Sequence, residues 1–109
     1  MKTKTQLAFI LLACGFTLNT HAVEVRGGRS CGKWIADQGD LHGAVNEAWF
    51  VGFLSGMAFE SNKDLLKGTD NASITLWVTN YCQKNPLKSL SQAADELADE
   101  LAKKRGIRR

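Results

Sequence analysis

The sequence predicts a small all-α domain, a bundle of about four helices closed by one disulfide. Three observations lead there. Apolar residues recur at three- and four-residue spacing in separate segments, and no segment alternates apolar and polar residues as a half-buried strand would. The chain opens on an export leader. Only two cysteines remain once that leader is removed.

Residues 1–22 carry the leader pattern. Lys2 and Lys4 form a positive start, Leu7 to Leu18 an apolar run of 12 residues, and Thr20-His21-Ala22 a small-x-small site, with cleavage expected after Ala22. A membrane span needs roughly 20 apolar residues, so the run reads as a signal peptide. An alternative processing signal overlaps it: Leu11-Leu12-Ala13-Cys14 resembles a lipobox, which would place a lipid on Cys14. Cleavage after Ala22 discards Cys14 and leaves Cys31 and Cys82 in an oxidising periplasm, where two thiols pair by default. Their bond closes a loop of about 50 residues, worth roughly 4 kcal/mol in the chain-entropy model.

The mature part, residues 23–109, is long enough for one domain only. The leader holds two lysines and no acid, so its removal lowers the net charge of +3 to +1. That balance argues against nucleic acid as a partner, which needs Lys and Arg gathered on one face. The residual basicity lies in Arg26, Arg29 and Lys33, and in a C-terminal cluster of Lys103, Lys104, Arg105, Arg108 and Arg109. The cluster reads as a solvated tail complementing a helix dipole, or as a contact for anionic lipid, glycan or an acidic protein.

Residues 23–30 are polar, contain two glycines and have no period, which predicts a flexible entry segment. Ser30 is placed to cap a short helix starting at Cys31 and carrying Trp34 and Ile35; Gln38-Gly39-Asp40 ends it, and Asp40 caps the next. The second helix, about Leu41 to Ser61, has Val45, Trp49, Gly52, Gly56 and Phe59 along one stripe, with Phe50, Val51, Phe53, Leu54 and Met57 making the opposite side apolar too. A helix apolar on most faces is expected to be buried among others. Each glycine costs up to about 1 kcal/mol of helix propensity, so Gly52 and Gly56 predict a closely packed neighbour, the Ala94–Leu97 surface of the last helix, with a ligand pocket as the alternative. After a connector at residues 62–69, Asp70 or Thr69 caps a third helix, about Asn71 to Lys84, with Ile74, Trp77, Val78 and Tyr81 as its stripe and Cys82 facing inward. Asn85-Pro86 then breaks and restarts the chain, asparagine as N-cap and proline at the first helical position. The last helix, about Pro86 to Arg105, has Leu87, Leu90, Ala94, Leu97 and Leu101 spaced three, four, three, four, i,i+4 pairs at Asp99–Lys103 and Glu100–Lys104, and Gly106 as its end signal.

The chemistry on offer does not suggest an enzyme. After processing His42 is the only histidine, and Asp37, Asp40 and Glu47 around it form no known ligand spacing, so no metal is expected. Asp64, Asp70 and Asn71 hint at a calcium loop but lack the alternating oxygen ligands and terminal glutamate of one. No Ser-His-Asp set, phosphate-cradling glycine loop or nucleotide fingerprint is present, so no cofactor is expected. What remains is protein binding, for which an exposed member of Trp34, Trp49 and Trp77 would be the first hot spot to examine.

The segment Tyr81-Cys82-Gln83-Lys84-Asn85-Pro86-Leu87-Lys88-Ser89-Leu90 resembles the Tyr-Cys-x-Lys-Asn-Pro-x-Lys-x-Leu stretch of the HdeA/HdeB type of small periplasmic acid-stress chaperones. The resemblance implies a helical fold, one disulfide from an early cysteine to Cys82, and binding of unfolded clients at low pH. It covers Tyr81 to Leu90 well, the Trp49 helix by position and the Cys31 region loosely, and no dimer-interface motif matches residue by residue. A second resemblance, of Trp49-Phe50-Val51-Gly52-Phe53-Leu54-Ser55-Gly56, is to the Gly-x-x-x-Gly helix of periplasmic immunity proteins that neutralise type VI amidase effectors. The two likenesses together imply a non-enzymatic periplasmic protein that binds either unfolded clients or one dedicated partner, with no integral membrane segment after processing and a homodimer left open. Candidate structural or contact residues are Trp49, Gly52, Gly56, Trp77, Asn85 and Pro86, beside the Cys31–Cys82 pair.

Overall fold

Each helix begins where a short polar side chain takes up a backbone N–H that has no partner within the helix. The computed structural model describes residues 23–109, so the expected leader, Cys14 included, lies outside the described residues. The helices are α1 (Cys31–Ala36), α2 (Leu41–Ser61), α3 (Asn71–Lys84) and α4 (Leu90–Lys104). Ser30 accepts from Lys33 N–H, Asp40 from Gly43, Asp70 from Ser73 and Ser89 from Gln92; the last is a reciprocal capping box. At the far end of α4, Gly106 takes φ +65°, a left-handed conformation favouring glycine, and Ile107 N–H reaches back to the Ala102 carbonyl, 2.8 Å. Among the described residues there is no strand, only an isolated bridge between Ser30 and Ser89. The fold is all-α, as the sequence predicts.

The core lies where α1 packs on α3 and α2 on α4. Helix α4 contributes Leu90, Ala93, Ala94, Leu97, Ala98, Leu101 and Ala102; four alanines among them let its neighbours approach closely. Phe50 and Leu54 enter from α2, Ile74 and Val78 from α3, and Trp34 from α1. Each large side chain buried this way contributes about 1.5–3 kcal/mol relative to exposure. Trp34 meets Phe50 edge-on at 5.9 Å, and its Nε1–H donates to Thr79 Oγ1 at 3.0 Å, so its polar end is satisfied inside. Leu65, in the connector between α2 and α3, is fully buried and plugs that side of the core.

Cys31 and Cys82 form the expected disulfide, fully buried, with Cα atoms 4.7 Å apart across a separation of 51 residues. It joins the first residue of α1 to the last turn of α3. The corner beside it differs from the sequence expectation. Asn85 does not cap the last helix and Pro86 does not open it; α4 starts four residues later, behind Ser89. Instead Asn85 closes α3, its side-chain amide donating to the Tyr81 carbonyl at 2.9 Å. Residues 86–89 stay non-helical because their carbonyls have another task. Lys88 O accepts Cys31 N–H at 2.8 Å and Pro86 O accepts Gly32 N–H at 3.1 Å, satisfying the free donors at the start of α1. Leu87, expected in the core, is consequently 98% exposed.

The C-terminal cluster is also not a free tail. Ile107 packs against the core, and Arg109 folds back to pair with Asp95 at 3.0 Å and with Asp99. Asp99 therefore faces Arg109 in place of Lys103, while Glu100 and Lys104 do approach, at 4.0 Å.

Candidate functional site

The second helix has two apolar faces, and only one is covered. Gly43, Asn46, Phe50 and Leu54 are buried, with Val51, Phe53, Met57 and Ala58 packed against the core beside them. The stripe expected to pack inward points out instead. Val45 is 56% exposed, Phe59 89%, and Leu41 at the helix start 78%. Between them Ala48, Gly52, Ser55 and Gly56 are exposed. Neither Gly52 nor Gly56 touches Ala94, Leu97 or anything else: a Cβ built at either meets no heavy atom within 4 Å. The reason is volume. A core gains by removing side-chain surface from water, and the Phe50–Leu54 face offers far more of it than a face built on two glycines.

The exposed face is uniform in chemistry. Helix α2 carries no Lys or Arg, and its only acids, Glu47 and Glu60, bracket an uncharged stretch from Ala48 to Phe59. Ser55 adds little polarity, because its hydroxyl donates back to the Val51 carbonyl at 2.6 Å. At about 1.5 Å per residue the 21 residues of α2 make a ridge about 31 Å long. It has apolar side chains at both ends and a shallow glycine floor between Ala48 and Phe59.

Trp49 sits at the edge of this face and is already engaged. Its ring stacks on Phe53 at 5.0 Å, and its Nε1–H donates to the Arg26 carbonyl at 3.1 Å. The entry segment lies on the indole so closely that a Cβ at Gly28 would come within 2.6 Å of it. Glycine here serves close approach, where the sequence reading expected only flexibility. Trp77 is half-buried and distant in sequence from the face; it stacks on Tyr81 at 5.1 Å and donates its indole N–H to Glu100. Asn85, Pro86 and the disulfide belong to the corner described above. Of the residues singled out from sequence, then, only Gly52 and Gly56 come together on open surface, and Leu41, Val45 and Phe59 join them.

The anchorage of α2 is polar. Asp37, at the end of α1 and buried, accepts from the Asn46 amide at 3.0 Å and from Arg29 at 3.2 Å. The Asn46 hydrogen bond, helped by the charges of Lys33 and Arg29, holds the Asp37 carboxyl below its ordinary value against the opposing effect of burial. By sequence alone Asp37 is only an acid near His42 that fits no metal-ligand spacing. Its pairing with a buried Asn46 has no signature in spacing.

Among the described residues, no three His, Cys, Asp or Glu side chains gather as a metal site, and no helix is long and apolar enough to cross a membrane. His42 is exposed, its Nδ1 3.7 Å from an Asp40 carboxylate oxygen. Comparison with protein families, with curated proteins and with solved structures finds nothing that matches the chain.

Proposed function

We propose that this chain is a non-enzymatic protein-binding protein of the periplasm, and that it docks one folded partner through the outer face of α2, as an immunity or accessory protein would. The observation that carries this reading is the exposure of Gly52 and Gly56 on an uncharged apolar ridge of a disulfide-closed bundle. Two glycines in a helix that gains nothing from them internally are explained by a contact made outside. The matching partner is a helix with an apolar, small-residue seam, which the glycine floor lets approach to backbone distance. Lys or Arg on its flanks would meet Glu47 and Glu60. Leu41, Val45 and Phe59 would supply the apolar anchors at the two ends.

The test is capture from periplasmic extract by the immobilised mature protein, by a Gly52→Leu/Gly56→Leu variant, and by Leu87→Ser as a control for non-specific apolar contact. A stoichiometric species held by the wild type and by Leu87→Ser, and lost by the double variant, supports the reading. A species retained by the double variant overturns it.

A second reading rests on Asp37. Proteins of the HdeA/HdeB type bind clients after loosening in acid, and a carboxylate held ionised between α1 and α2 is a point where acid would act. Light scattering from an acid-denatured client at about pH 3, with and without the protein, decides it; no suppression of scattering excludes the chaperone version.

A further inference from the structure

We infer that the pocket between the start of α3 and the end of α4 is a binding site for a small amphiphilic carboxylate, separate from the α2 face. The pocket has a volume of about 370 Å³, within the lower range of small-molecule sites. Its walls are apolar: Ile74 and Trp77 from α3, Leu97 and Leu101 from α4. Its rim carries two cations, Lys104 and Arg105, beside one acid, Glu100, and the neutral Thr69 and Ser73.

The state of those charges selects the ligand. Arg105 is half-buried, and both hydrogen bonds of its guanidinium leave from Nη2, to the Lys67 carbonyl and to Thr69 Oγ1. Both acceptors are neutral, and among the described residues no carboxylate pairs with Arg105. Its Nη1 and Nε make no hydrogen bond among the described residues, and Arg105 lines the opening. Glu100, which lines the pocket, and Asp70 close by are both already engaged. Glu100 accepts the Trp77 indole N–H and lies 4.0 Å from Lys104, and Asp70 is turned to Ser73 N–H at 2.7 Å. An uncompensated planar guanidinium above an apolar cavity suits a planar carboxylate on an apolar body, because the fork of donors matches two oxygens. Lys104, mostly exposed, is a second cation at the rim, 4.0 Å from Glu100 and free to turn from it toward a ligand.

Decanoate is the probe, with decanol and decyltrimethylammonium as charge controls, titrated calorimetrically into the mature protein at neutral pH below micelle formation. The expected result is one site per chain, decanoate at least tenfold tighter than decanol, and no binding of the cation. Arg105→Gln and Lys104→Gln should each weaken decanoate several-fold and leave decanol unchanged. Lys104 is exposed, so its variant carries the test even if Arg105→Gln loosens the loop it moors. Binding should change tryptophan emission, and Trp77→Phe should abolish that change, since Trp34 and Trp49 lie elsewhere. Equal affinity for decanoate and decanol, unchanged affinity in both charge variants, or no binding overturns the inference. The Gly52→Leu/Gly56→Leu variant should bind decanoate normally, so this site and the α2 face stand or fall separately.

Discussion

Gly52→Ala and Gly56→Ala, singly and together, place methyl groups where the fold places nothing. In an exposed helix interior, alanine is more favourable than glycine by about 0.8–1 kcal/mol. Neither new Cβ meets a heavy atom within 4 Å, so no steric penalty opposes that gain. Each variant should therefore be about 1 kcal/mol more stable than the wild type, and the pair about 2 kcal/mol, because the two sites share no packing partner. For a domain of this size each kcal/mol raises Tm by about 4–8 °C. Urea and thermal unfolding followed by circular dichroism, with the disulfide intact and at several protein concentrations, measures this directly. Partner binding should move the other way. A methyl group wedged into a close helix contact typically costs about 1–3 kcal/mol, which weakens affinity about five- to 150-fold. Higher stability with weaker binding is the signature of a face kept bare for a partner. Variants that are neutral or destabilised at every concentration would show that the face is covered within the monomer, and the reasoning would fail. A penalty that grows with protein concentration would identify a second copy as the cover.

Replacing Cys31 and Cys82 together by serine should lower stability by about 4 kcal/mol, from the loop-closure entropy of a 51-residue separation, and reductant should do the same to the wild type in a urea titration. Asp37 has a depressed carboxyl pKa, so its contribution is fully present above the unfolded value and lost as pH falls through the folded one. Stability should drop on acidification below the ordinary aspartate range, and Asp37→Asn should flatten that part of the profile in unfolding measured from pH 6 downward. Asn85→Ala removes the side-chain bond to the Tyr81 carbonyl and should cost about 0.5–1.5 kcal/mol. Leu87→Ser, at a site 98% exposed, should change stability by under about 0.5 kcal/mol.

Most of the architecture was legible in the chain because it depends on local signals. The four helices, three of the four N-caps (Ser30, Asp40 and Asp70), the glycine stop at Gly106 and the inward Leu90–Leu101 stripe of α4 follow from spacing and from the few side chains able to hold a free N–H. The disulfide followed from counting thiols. The corner at Asn85-Pro86 departs from the sequence expectation because its outcome is set from far along the chain. A proline after asparagine suits a helix start equally well, and only the arrival of Cys31 and Gly32 N–H groups at the Lys88 and Pro86 carbonyls keeps residues 86–89 out of the helix.

The candidate face was visible in sequence as a set of residues and invisible as a surface. Val45, Gly52, Gly56 and Phe59 share one side of α2 by helical periodicity alone, and that much needed no fold. Whether that side turns in or out could not be read from the helix itself, since both sides are apolar and a period of 3.6 residues says nothing of which one is covered. The tertiary structure decided it by volume and by polar anchoring. Phe50 and Leu54 fill the space against α4 that glycines would leave empty, and Asn46 reaches Asp37 only with that face inward. Periodicity is a property of one helix, whereas burial is a competition between faces for a core that other helices enclose.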